Sequence, residues 1–182
     1  MGSQLSGYSG ERASFRLLIV GESGSGKTRL TSRMANALAL IAGPGRVTAL
    51  DFAPDYLGVG RPLKVDERLV KVVRPSGVKA PRLMSKGDCS MAWRLARENA
   101  DILRLAIEQY LLEPTPVLVI NDVSLYLHSG DPEILYDAID SSTIFVANSY
   151  MGSALRDECG IWRVERLRVE ELSRRMDLVW RL

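Results

Sequence analysis

Apolar positions along this chain follow two rhythms. Short runs that are mostly apolar occur at Leu17-Leu18-Ile19-Val20, Val47-Thr48-Ala49-Leu50, Leu69 to Val73, Val117-Leu118-Val119-Ile120 and Thr143-Ile144-Phe145-Val146-Ala147. Several lack the alternation of a half-solvated strand and suit strands covered on both faces. Ile161 to Val164 reads as a weaker strand. Between these runs, apolar residues recur three and four apart, the spacing of one helix face. Leu30, Met34, Ala37, Leu38 and Ile41 form one stripe, stopped by Gly43-Pro44. Ala92, Leu95, Ala96, Asn99, Ile102, Leu103, Ala106 and Tyr110 form another, which predicts a long helix from about Cys89 to Leu112. Asp131-Pro132 supplies an N-cap and first-turn pair for a helix through about Asp140. A last helix is predicted from near Val169, with Leu172, Met176 and Val179 or Trp180 on one face.

Strands alternating with helices predict a three-layer α/β domain with a mainly parallel sheet flanked by helices, spanning residues 15–182. Two stretches break the alternation. Asp51 to Leu69 shows no helix, only Pro54, Gly58, Gly60 and Pro62 and then Leu63-Lys64-Val65, which fits a β-hairpin or a mobile loop. Pro75 to Asp88 is a long connection, and long connections without structure tend to be functional or mobile.

Composition refines this picture little. A single domain of 182 residues can bury roughly 70% of its unfolded surface. The formal charge of +2 gives no argument for nucleic acid or for an acidic membrane surface. Arg163, Arg166 and Arg168 sit beside Glu165, Glu170 and Glu171, the pattern of a solvated charged face. Cys89 and Cys159 lie far apart in sequence, and with one histidine, His128, no zinc-ligand spacing exists. The expectation is a reduced, cytoplasmic setting with no membrane span. Residues 1–14, rich in Gly and Ser, lack the apolar centre of a signal peptide and read as a flexible segment.

Chemistry concentrates at Gly21-Glu22-Ser23-Gly24-Ser25-Gly26-Lys27-Thr28, which fits G-x-x-x-x-G-K-[ST] at every fixed position and lies between a predicted strand and a predicted helix. Glycines let successive backbone N–H groups curl inward around a polyphosphate. The helix start adds its own unpaired N–H groups and positive dipole end. Gly21, Ser23, Gly24, Ser25, Gly26, Lys27, Thr28 and Arg29 are therefore the expected phosphate-binding residues, with Lys27 on the terminal phosphates and the Thr28 hydroxyl on Mg²⁺. His128 could serve as a base but reads first as a turn histidine.

These residues resemble those of the P-loop NTPases. The strand ending in Asn121-Asp122 resembles the Walker B strand, which makes Asp122 a Mg²⁺ candidate, with Asn121 orienting it or serving helix packing. Leu50-Asp51-Phe52-Ala53-Pro54-Asp55 resembles the second-strand acid of the SIMIBI class, such as signal-recognition GTPases, partition ATPases and nickel-insertion GTPases. That resemblance implies a metal or water-positioning role for Asp51 and, more weakly, for Asp55. It also implies a switch over Asp51 to Arg61. The chain departs from several groups. Glu22 stands where partition ATPases carry a second lysine, Leu125 where Ras-like GTPases have Gly, and Val123 where many motor ATPases have Glu.

After the fifth strand, Asn148-Ser149-Tyr150-Met151 keeps only the Asn of the guanine-reading Asn-Lys-x-Asp, so ATP is favoured over GTP. Asn148 would then contact the base, and Tyr150 either stacks on it or packs in its loop. The resemblance implies Mg²⁺-dependent NTP hydrolysis coupled to a conformational or partner-binding cycle. A small-molecule kinase using Arg61, Arg74, Arg82, Lys86 or Arg156 is an alternative, as is a regulatory subunit with little turnover. An exposed last helix bearing Trp180 would offer a surface for a protein partner or a second copy.

Overall fold

The structure, a computed structural model, describes residues 14–54, 56 and 60–182. Asp55 and all but the last residue of the N-terminal segment 1–14 lie outside the described residues. Six strands form one sheet: β1 Phe15–Gly21, β2 Val47–Asp51, β3 Val70–Val73, β4 Val117–Asn121, β5 Ile144–Tyr150 and β6 Leu178–Arg181. Their order is β3-β2-β4-β5-β1-β6, and every neighbouring pair is parallel. The helices are α1 Lys27–Ala42, α2 Pro81–Met84, α3 Cys89–Leu112, α4 Ser124–Leu127, α5 Pro132–Asp140 and α6 Ile161–Ser173.

Side chains alternate across a strand, and here both sets are apolar. Leu17, Ile19, Val47, Ala49, Val117, Val119 and Val146 pack with Ala35 and Ala39 of α1 on one face. Leu18, Val20, Leu50, Leu118, Ile120 and Phe145 pack with residues of α3, α4, α5 and α6 on the other. The protein is thus an α/β domain with helices on both faces of an all-parallel sheet, which explains why the strand runs lack polar alternation. Parallel order also brings the carboxyl ends of β1, β2, β4 and β5 to one edge, where the loops of interest begin.

Capping follows the sequence signals. The Asp88 carboxylate accepts from Met91 N–H at 3.0 Å, and that bond holds its pKa below the ordinary value. The Asp131 carboxylate accepts from Glu133 N–H at 3.0 Å.

The C-terminal quarter corrects two expectations. Ile161 to Val164 is the first turn of α6, not a strand, and its exposed N–H groups are met by Asp157, which accepts from Ile161 and Trp162 at 3.1 and 2.9 Å. The buried stripe of α6 is Ile161, Glu165, Val169 and Leu172. A carboxylate in that stripe conceals the helical period. The predicted last helix stops at Ser173, and Val179 and Trp180 belong to β6, paired in parallel with Leu18 and Ile19. Trp180 is thus an exposed residue of an edge strand rather than of a helix.

Cys89 and Cys159 are joined in a disulfide, with Cα atoms 5.0 Å apart. This overturns the expectation of two reduced thiols: the start of α3 and the loop entering α6 converge, however distant in sequence. Trp93 adds an indole N–H donated to the Cys159 carbonyl at 3.0 Å. No helix among the described residues is long and apolar enough to cross a membrane.

Candidate functional site

The turn after β1 leads directly into α1, as the motif requires. Gly24 and Gly26 have φ of 79° and 97°, a region that penalises any Cβ, and a Cβ on either would meet no atom within 4 Å. Their necessity is therefore conformational rather than steric. Gly26 is the N-cap of the 16-residue α1, and no side chain caps its first turn. The leading N–H groups of α1 are left facing the loop.

The loop borders a cleft of about 480 Å³. Ser23, Gly24, Ser25, Gly26, Lys27, Thr28 and Arg29 form one wall, Asp122, Ser124, Leu125 and His128 another. Pro54, Gly60 and Arg61 contribute from the β2 side, Ala80 to Leu83 from α2, and Asn148, Tyr150 and Leu155 from β5 and beyond. Gly21 does not line the cleft; it is buried at the end of β1, where a Cβ would strike the Leu182 carbonyl.

Lys27 is partly buried and donates its ammonium to the carbonyls of Gly21 and Glu22 at 2.9 and 2.6 Å. Burial lowers its pKa, opposed by the negative charges of Asp122, Glu22 and Glu165. Asp122 has φ of 59° and accepts from the Ser124 hydroxyl at 2.8 Å. Loss of solvation raises its pKa; Ser124 opposes this, Glu165 reinforces it, and His128 and Lys27 act against it. A carboxylate and an ammonium thus border the same cleft. Mg²⁺ commonly takes only one or two side-chain ligands and fills its octahedron with phosphates and water. Thr28 and Asp122 fit that demand. Among the described residues there is no cluster of three or more His, Cys, Asp or Glu that could hold a metal alone.

Asp51 is placed elsewhere. It is buried, does not border the cleft, and both its oxygens are engaged. One accepts from Leu63 N–H at 2.8 Å and from Arg74 at 3.1 Å, the other from the Asn121 amide at 2.7 Å. Asp51 thus ties the end of β2 to the following loop and to β4, so the expected metal or water-positioning role is replaced by a structural one.

Asn148 borders the cleft and is also bonded into the scaffold. It is almost wholly buried, and its polar atoms are engaged: its amide donates to Thr31 and Asn121 at 2.9 and 2.7 Å, and its oxygen accepts from Asp122 N–H at 3.0 Å. A base would have to break this network to reach it. Asn148 positions the Asp122 backbone instead, and Asn121 is the hub joining it to Asp51. Tyr150 packs between Glu22, which accepts from its hydroxyl at 3.1 Å, and Arg82, whose guanidinium lies 5.2 Å from the ring centroid. Glu22 also accepts from Ser153 N–H at 2.5 Å, so the residue replacing a lysine anchors the loop to the chain after β5.

Glu165, read as part of a solvated face, is buried and holds Arg82 through two bonds, at 2.6 and 3.1 Å. Its Oε1 also lies 3.0 Å from His128 Nε2. Burial pushes the Glu165 carboxyl up, but His128 and Arg82 outweigh it and hold the pKa below its ordinary value. The available signal was a charge at the i+4 position between Ile161 and Val169 on α6. Of the arginines proposed as acceptor clamps, Arg74 is paired with Asp51 and Glu67, Arg82 with Glu165, and Arg156 lies over Trp162. Arg61 and Arg82 border the cleft.

Compared with known proteins, the chain matches no protein-family model and no curated sequence.

Proposed function

We propose that the cleft binds a nucleoside triphosphate with Mg²⁺ and hydrolyses it, as part of a conformational or partner-binding cycle. The observation that carries this reading is the turn from Gly21 to Thr28, placed between a buried parallel strand and a helix N-terminus, with Asp122, the residue after β4, across the same cleft. Backbone N–H groups, the α1 dipole and Lys27 supply positive potential where a polyphosphate would lie. Thr28 and Asp122 would hold Mg²⁺, which when bound would neutralise charge on the β- and γ-phosphates. Lys27 would exchange its two loop carbonyls for phosphate oxygens, a rearrangement within reach of a flexible side chain. ATP is favoured over GTP because Met151 stands where a guanine-reading acid would be needed.

The test is titration of MgATP and MgGTP into the wild type and Lys27→Ala, with phosphate release followed in parallel. Lys27→Ala should keep its fold and lose roughly 10²–10³-fold in turnover, the usual cost of one preorganised group on a developing charge. Equal binding and equal hydrolysis by the two proteins would refute the assignment.

A further inference from the structure

We propose that His128 is the general base of the hydrolysis reaction and that Glu165 is its positioning residue, an inference that rests on the nucleotide reading above. His128 follows Asp122 by one turn of α4 and borders the same cleft as Lys27 and Thr28. Its Nε2 is 3.0 Å from Glu165 Oε1, and Glu165 is itself fixed by the two bonds from Arg82. An acceptor-only carboxylate at that distance keeps the proton on Nε2 and leaves Nδ1 with a free lone pair, the orientation that a histidine base requires.

That Nδ1 is buried and has no hydrogen-bond partner. Burying an acceptor unpaired carries a desolvation cost, so the atom calls for a donor that arrives with a ligand or a water. Among the described residues the other buried side-chain atom without a partner is Arg16 Nε, near the start of β1 and the opposite edge of the sheet. Among the described residues, the competing candidates are committed elsewhere. Val123, directly after Asp122, is apolar and fully buried; Asp51 has both oxygens engaged; Asp122 is assigned to the metal.

In the step proposed, the oxygen of a water attacks the γ-phosphorus as the bond from phosphorus to the bridging oxygen breaks. The water proton passes to His128 Nδ1. The nucleoside diphosphate leaves with the charge of the bridging oxygen, opposed by Lys27 and the loop N–H groups. The imidazolium, stabilised by Glu165, then returns its proton to the inorganic phosphate.

The experiment compares wild type, His128→Gln and Glu165→Gln in single-turnover hydrolysis of MgATP, with MgATP affinity measured separately. Gln at 128 can still donate to Glu165 from its amide, but its remaining polar atom is an amide oxygen, which accepts a hydrogen bond without being basic enough to take a proton. The expected result is a loss of about 10²–10⁴-fold in hydrolysis with affinity kept within about threefold. Glu165→Gln should lower kcat while leaving KM unchanged. Hydrolysis by His128→Gln within twofold of wild type would overturn the proposal. Should that variant not fold, the wild-type rate in D2O decides: a normal solvent isotope effect on single turnover supports proton transfer to a base, and its absence overturns it. Failure of the wild type to bind or hydrolyse MgATP or MgGTP would instead defeat the underlying nucleotide reading.

Discussion

Glu165 shows how much one side chain can tie together. It links α6 to α2 through Arg82 and to the end of α4 through His128, in a buried region. Removing one partner of such a cluster leaves charge buried without compensation, at a typical cost of about 3–5 kcal/mol. Glu165→Ala is therefore expected to lose stability in that range by urea denaturation, whereas Glu170→Ala, on the exposed pair with Arg166, should change it by less than about 1 kcal/mol. Similar losses for the two variants would show that Glu165 contributes no more than a surface acid. The pH dependence has a definite sign. The folded pKa of Glu165 lies below its ordinary 4.5, so its contribution is present in full above that value and is lost as pH falls through the folded value. Stability measured from pH 6 down should therefore fall more steeply for the wild type than for Glu165→Gln, and identical acid limbs would contradict the assignment.

At the scale of elements, the disulfide fixes the entry of α6 to the start of α3, next to the turn that carries Arg82. Closing a separation of 70 residues restricts the unfolded chain, and native bridges of this kind contribute about 2–4 kcal/mol. Reduction, or replacement of both cysteines by serine, should lower the urea midpoint accordingly; an unchanged midpoint would mean that the two sulfurs are not joined in the folded protein. Sequence legibility varies along the same elements. The first five strands, α1, α3 and α5 were readable because strand runs apolar on both faces and helix stripes of three-and-four spacing are set locally. The turn from Gly21 to Thr28 was readable as a strand-to-helix turn because its glycines answer a backbone need, φ of 79° and 97° at Gly24 and Gly26. α6 and β6 were not, because Glu165 interrupts the stripe and the pairing of Leu178 to Arg181 with β1 is decided by residues some 160 positions away. The same applies to Asp51 and Asn148: residue type and strand-end position suggested ligand contacts, while the hydrogen bonds that engage their polar atoms come from partners distant in sequence.

The whole molecule places its cleft where both helical layers meet the carboxyl edge of the sheet. One wall comes from α1, which packs on one face, and the others from α2, α4 and the chain after β5, which belong with the opposite face. A ligand held by Lys27, Thr28 and Asp122 would bridge elements that otherwise touch mainly through β-strands. Binding that is confined to the native state adds RT ln(1 + [L]/Kd), about 2.7 kcal/mol at a hundredfold excess over Kd. For a domain of this length that amounts to a rise in melting temperature of roughly 5–10 °C. MgATP should produce this shift in the wild type, and Lys27→Ala should show little of it at the same concentration. Omission of Mg²⁺ should reduce the shift, since the terminal phosphates would then face the Asp122 carboxylate without an intervening cation. A shift of equal size in wild type and Lys27→Ala would remove Lys27 from the nucleotide site and leave phosphate binding to the guanidinium groups of Arg29, Arg61 and Arg82, which line the same cleft.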